Sequence, residues 1–194
     1  MNLYDGIPED RWIEKTRELV ESHPLDTDEI VEVVRGCWDA IFESKIGKFS
    51  IGKHIRPKPQ TMGFLLHELV PLELSARHPR EWQGEHAKGD KDLVYIPDNS
   101  YSVEIKTSSH KTQIFGNRSY AQKSKGKSKE KTGYYLAVNF EKFSAGGIRP
   151  RIRRVRFGWL DHADWAGQKA ATGQQARLSP AVEKGKLLVL YEVE

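Results

Sequence analysis

The sequence predicts an α/β chain of the mixed α+β kind: a helical N-terminal third, then a central mixed β-sheet flanked by helices. Three observations carry this. Ile30, Val34, Cys37, Trp38 and Ile41 recur at three- and four-residue intervals, the spacing of one helix face. Residues 134–140, YYLAVNF, are nearly apolar throughout, as a central strand covered on both sides requires. Residues 101–106, YSVEIK, alternate apolar and polar, the period of a strand with two unlike faces.

The elements follow in order. Residues 8–22 have helical character with Trp12, Leu19 and Val20 as apolar contacts. A second helix is expected over 27–44, where Asp26 and Glu29 have capping-box spacing with Asp in place of Ser or Thr. Residues 47–59 form a basic loop punctuated by Gly52, Pro57 and Pro59. Thr61 can cap a third helix through about Leu69, with Pro71 ending it or starting a new turn. Residues 92–96 read as a strand, 97–100 as a turn and 101–106 as its partner, together a hairpin. Residues 110–131 have little apolar content and read as an excursion from the sheet, low in complexity from Gln122 onward. Residues 148–159 are β-prone, residues 159–178 suggest a short helix and a turn around Gly173, and residues 186–193 a final strand.

With 194 residues and 38% hydrophobic content, the chain is expected to form one domain, residues 1–78 mainly helical and 88–194 bearing the sheet. No stretch approaches the roughly 18 apolar residues of a membrane span, and the N-terminus lacks a basic and then apolar leader pattern. A cytoplasmic protein is expected, with no membrane partner. The single cysteine, Cys37, excludes an intrachain disulfide and a cysteine-based zinc cluster. His67, His78, His86 and His110 are scattered without a His-Asn-His or HExxH arrangement, and read as surface or core residues. Charge is segregated: residues 111–131 carry +6 and 149–156 carry +5 against a chain total of +4, leaving −7 elsewhere. Such segregation suits a face that neutralises phosphates.

The most informative stretch is GDKDLVYIPDNSYSVEIKTSS. Asp92 opens one apolar run, and Glu104 and Lys106 share one face of the next strand. A hairpin can bring Asp92 beside Glu104. Two carboxylates can hold Mg²⁺, a hard ion that takes oxygen ligands and keeps several waters, and an ammonium beside them can orient an attacking water and stabilise transition-state charge. Asp90, two residues before Asp92, competes for the first position. The residues also admit a plainer reading as solvent-facing charges on a one-sided hairpin.

Asp92 and Glu104-Ile105-Lys106, in this order of elements, resemble the PD-(D/E)xK superfamily of metal-dependent nucleases, and within it the type II restriction endonucleases. The run from about Lys88 to Phe143, with GWLDHADWAGQ and TGQQARL beyond it, is most similar to the ScaI-type group. The resemblance implies a restriction-endonuclease-like core and a Mg²⁺-dependent homodimer that cuts both strands of double-stranded DNA at a short palindromic site. It also implies a cognate DNA methyltransferase and a bacterial or archaeal cytoplasmic setting. Asp92 and Glu104, with Ile105, would be metal ligands, and Lys106 the water-positioning lysine. Lys91 stands where the motif often has Pro. A helical Glu adds a carboxylate in several such nucleases, which would make Glu68 catalytic; on the residues alone Glu68 is an exposed helix charge.

In the excursion, Gln113 and Asn117 can pair with adenine and Arg118 with guanine, and Tyr120 can stack or pack. Lys123 and Lys125 are candidate phosphate contacts. Gly116 and Asn117 equally suit a simple turn. Two rivals share these features: a structure-specific nuclease of resolvase or repair type, and a DNA-binding module without catalysis.

Overall fold

The computed structural model describes residues 2–122, 130–144, 148–170 and 172–193. The helices of the N-terminal third are α1 (Trp12–Glu21), α2 (Thr27–Glu43) and α3 (Pro59–Arg77), with a small hairpin of β1 (Lys45–Ile46) and β2 (Phe49–Ser50) before α3. Then come β3 (Trp82–Gly84), β4 (Leu93–Tyr95), β5 (Val103–Ser108), β6 (Phe115–Asn117), β7 (Gly133–Phe140), β8 (Ile152–Leu160), β9 (Trp165–Gly167) and β10 (Gln175–Leu178). A short helix α4 (Pro180–Gly185) leads into β11 (Leu187–Glu192). Among the described residues the central sheet has six strands in the order β11-β8-β7-β5-β4-β3, with β5 and β7 parallel and the other neighbours antiparallel. It is therefore the mixed, helix-flanked sheet that the sequence predicts.

Strand alternation sorts the core into two layers. Tyr134, Leu136, Val138 and Phe140 of β7, with Val103 and Ile105 of β5, join Val34, Trp38 and Leu66 of α2 and α3 on one face. Tyr135 and Ala137 face the other way, onto Ile114, Tyr120, Trp165, Ala176 and Val182. Every residue of β7 is buried, as its unbroken apolar run requires. Cys37 is a core residue, its thiol pushed up to about 11 by burial.

Local chemistry sets the helix ends. The Asp26 side chain accepts from the Asp28 and Glu29 amides, relieving two orphan donors at the start of α2. Glu29 does not reach back to complete a capping box; it meets His78 and Arg77. Nor does α3 start at Thr61 or end at Leu69. Pro59 opens it, and it continues through Pro71 to Arg77. Pro71 has no N–H for the His67 carbonyl, a cost of roughly 3 kcal/mol, but Val70, Pro71 and Leu74 are buried, and their packing holds the helix together.

Two further expectations are corrected. The first half of the 110–131 excursion is built into the molecule: β6, β10 and β9 form a three-stranded antiparallel sheet with Ile114 fully buried beside it. Among the described residues, 159–178 hold the end of β8, the β9 and β10 pair and a 3-10 turn at His162–Asp164 in place of the expected short helix.

The basic block 149–156 is also not a bare cationic face. Arg149 pairs with Asp39, Arg151 and Arg153 with Glu141, Arg154 with Glu192, and Arg156 with Glu183. Arg156 is buried and also donates to Asn139 and the Thr112 carbonyl.

His23, between α1 and α2, anchors the turn that feeds β5. Its Nδ1 accepts from the Leu25 amide, so Nε2 carries the proton and donates to the Tyr101 carbonyl at 2.9 Å. Trp82, Tyr101, Tyr134 and Phe157 surround the ring. Burial pushes its pKa down to about 4 from an ordinary 6.5. Between those values the unfolded chain binds a proton that folded His23 refuses, so its contribution to stability is complete above about pH 6.5 and is lost as the pH falls toward 4. At about 1.4 kcal/mol per unit, the loss is roughly 3 kcal/mol. Urea unfolding of His23→Gln at pH 7 and pH 4.5 is expected to show an acid-induced loss about 2–3 kcal/mol smaller than the parent's; equal losses would exclude His23 as the titrating group.

Candidate active site

The site forms where β4 separates from β5. These strands pair in register only at Leu93 and Val103, so beyond that point the edge of β5 faces the residues preceding β4. Asp92 lies there, and its Oδ2 accepts the Ile105 N–H at 2.7 Å. A side chain thus completes the ladder in place of a backbone carbonyl, which ties Asp92 to the segment carrying Glu104 and Lys106. In an extended strand the N–H and C=O of one residue face the same neighbour, so the Ile105 carbonyl is turned to this edge as well.

Lys106 closes the cluster. Its Nζ donates to Glu104 Oε1 at 2.6 Å and to the Ile105 carbonyl at 3.0 Å. Glu104 is 2% exposed and Lys106 13%, so this charge pair is largely withdrawn from water. The Tyr120 hydroxyl donates to the same Glu104 oxygen, and the Lys106 ammonium lies 4.8 Å above the Tyr120 ring. Burial, then the Glu104 carboxylate, push the Tyr120 pKa well above the phenol range, so Tyr120 remains a neutral donor.

Asp90 is placed differently. Its carboxylate accepts from the His86 and Ala87 amides and closes its own loop. Between the two aspartates, Asp92 is the one that touches the Glu-x-Lys strand.

An open cleft of about 1410 Å³ lies alongside, lined by Asp92, Thr107, Phe115, Gln175, and His67 and Glu68 of α3. Glu68 is exposed on this wall. Among the described residues no three acidic, histidine or cysteine side chains come close enough to hold an ion on their own, so Glu68 is not drawn into one cluster with Asp92 and Glu104. His67, a surface or core histidine by sequence, has its Nδ1 3.7 Å from Asp92 Oδ2. Gly63 and His67 lie one turn apart on α3, and a Cβ on Gly63 would lie 2.5 Å from Thr107 Oγ1, so this helix face is the one pressed on β5; the spacing alone carries no such signal in the sequence.

The donor set is one of hard oxygens, two carboxylates and a carbonyl, which suits Mg²⁺. One cationic nitrogen reaches both Glu104 and the Ile105 carbonyl at hydrogen-bond distance, so two of these donors converge on a point that a small ion can also reach.

The candidate DNA-binding residues diverge. Asn117 is exposed at the end of β6, and Gln113 is half-buried, with its carbonyl held by Asn139. Arg118 directs Nη1 to the Ala170 and Gly173 carbonyls. Tyr120 is not placed to stack on a base: it is 6% exposed and packs on Gly116, where a Cβ would come within 2.9 Å of its ring. Lys123 and Lys125 lie outside the described residues.

Two carboxylates, a carbonyl and an ammonium at a sheet edge beside a wide cleft are the parts that metal-assisted hydrolysis of a phosphodiester requires. A family model described as ScaI restriction endonuclease matches residues 2–191. The type II restriction enzyme ScaI of Streptomyces caespitosus is 52% identical over 191 residues, covering 97% of this chain and 84% of that protein. The class is thereby fixed as type II restriction endonuclease, a site-specific deoxyribonuclease. The chain belongs to the ScaI restriction endonuclease family.

Asp92 has a structural part separable from any role in catalysis. Asp92→Ala strands the buried Ile105 N–H and is expected to cost about 1–3 kcal/mol, whereas Asp92→Asn keeps an acceptor there and is expected to cost less than about 1 kcal/mol. Equilibrium urea unfolding of both variants checks this; equal losses would show that the Asp92 to Ile105 bond does not hold the strand.

Proposed function

We propose that this enzyme hydrolyses both strands of duplex DNA at a short palindromic site, using Mg²⁺ held by Asp92, Glu104 and the Ile105 carbonyl. The observation that carries this reading is the Lys106 ammonium joining Glu104 to the Ile105 carbonyl while Asp92 takes the Ile105 N–H. When bound, Mg²⁺ acts as a Lewis acid on the scissile phosphoryl group. Asp92 and Glu104 supply the negative charge that keeps it there. Lys106 orients the attacking water and balances charge on the phosphorane-like transition state as the bond to water forms and the bond to the leaving sugar oxygen breaks. Glu68, on the wall of the same cleft, would add its carboxylate through waters around the ion.

Membership of a restriction endonuclease family supports duplex DNA as substrate, a homodimer matching the two-fold symmetry of its site, and a partner methyltransferase that protects the host. Gln113, Asn117 and Arg118 are the proposed base-reading segment, with Lys123 and Lys125 as phosphate contacts. Because the arginines of 149–156 are paired with acids, the phosphate face falls to the 111–131 block. Among the described residues no helix is long and apolar enough to cross a membrane.

Incubation with phage DNA of known sequence and Mg²⁺ is expected to yield discrete fragments whose mapped ends define the site and the cut. Chelation of the metal should stop cleavage. Ala at Asp92, Glu104 or Lys106 should lower the rate by roughly 10²–10³-fold or more while DNA binding persists in a gel-shift assay. A smear at every enzyme level, or full activity of these variants, would contradict the proposal.

A further inference from the structure

Glu104 holds its carboxylate on a terminal torsion that is soft, broad and roughly two-fold. A metal ligand of this kind needs outside hydrogen bonds to fix its plane. Lys106 provides one, but through a flexible four-carbon stem. The Tyr120 hydroxyl provides another, from a ring with little freedom: Trp165 packs edge-on at 5.3 Å, and Gly116 leaves room for the ring only because it has no Cβ. Both donors meet Oε1, so together they set the direction in which the carboxylate faces the edge of β5.

The same tyrosine lies within the 3-10 turn Arg118–Ala121, which follows β6 directly. Of the proposed base-reading residues, Asn117 directly precedes this turn and Arg118 opens it. Tyr120 also carries two cations over its ring, Lys106 at 4.8 Å and Lys131 at 4.5 Å. A displacement of this turn therefore moves a donor on Glu104 and the aromatic surface under Lys106 in one step.

We propose that Tyr120 is a positioning residue for Glu104 that couples DNA contact at the Gln113–Tyr120 segment to the readiness of the metal site. The inference rests on the reading of Glu104 as a metal ligand. It also explains why a tyrosine placed among candidate DNA contacts is turned inward.

Tyr120→Phe tests it, because the ring contacts remain and only the hydroxyl is lost. The variant is expected to show a kcat roughly 10- to 100-fold lower, with the Mg²⁺ concentration for half-maximal rate raised by a similar factor. Its KM for DNA should stay within about twofold and its urea midpoint should fall only by the small step that losing one buried hydrogen bond brings, a split between kcat and KM that a purely structural role would not produce. Calorimetric titration of Mn²⁺, also a hard-oxygen ion, into the protein without DNA should show affinity weakened to a comparable extent. Gly116→Ala, which displaces the ring but keeps the hydroxyl, is expected to shift the metal dependence in the same direction, and it serves if Tyr120→Phe does not fold. Wild-type kcat and metal affinity in Tyr120→Phe would overturn the proposal, as would a loss confined to the KM for DNA. Full cleavage by Glu104→Ala would instead overturn the metal-ligand reading itself, so the two failures are distinguishable.

Discussion

The hydrogen bond from the Ile105 amide to Asp92 is the constraint on which the rest of the site depends. Beyond Leu93 and Val103 the two strands no longer pair, and a buried amide on β5 would otherwise lack its ladder partner, at a cost of about 1–3 kcal/mol. Asp92 supplies that partner and is thereby held one residue from Glu104. Local backbone accounting and the placement of a candidate metal ligand are the same event. The peeling apart of β4 also leaves the Ile105 carbonyl, on the same edge, outside the β4 ladder, where Lys106 finds it.

This arrangement is not one that stability would select. A carboxylate and an ammonium almost withdrawn from water recover little more than their desolvation cost. The sheet tolerates them because its opposite face is strongly apolar: Val103 and Ile105 pack on the helical layer beside Tyr134, Leu136 and Phe157. Strand alternation thus places the stabilising burial and the candidate chemistry on opposite faces of the same strand. On the chemical face, Tyr120, Tyr135 and Trp165 provide a second small core that shields Glu104 and limits its motion.

Much of this was legible in the sequence. The apolar run of β7 marked a central strand, the i, i+3, i+4 spacing marked α2, and the period of two in residues 101–106 put Glu104 and Lys106 on one side. What stayed hidden depends on partners distant in sequence. Arg149 meets Asp39 110 residues away and Arg156 meets Glu183 27 residues away, so a count of basic residues mistook a paired block for an open phosphate face. Strands β6 and β9 have three residues each, too short for alternation to be read. Pro71 looked like a helix end because burial around it cannot be seen in local propensity. Whether Tyr120 stacks or packs is not decided by its own neighbours in sequence, because the place for its ring is opened by Gly116.

The most direct measurement is an anomalous-scattering map of crystals soaked in Mn²⁺, chosen because it shares the hard-oxygen preference of Mg²⁺. The account predicts a peak at the edge of β5, within about 2.0–2.3 Å of Asp92, Glu104 and the Ile105 carbonyl, with the Lys106 ammonium beside it. A peak held by Glu68 on the wall of the cleft, with Glu104 still bound by Lys106 and Tyr120 and not by the ion, would contradict it.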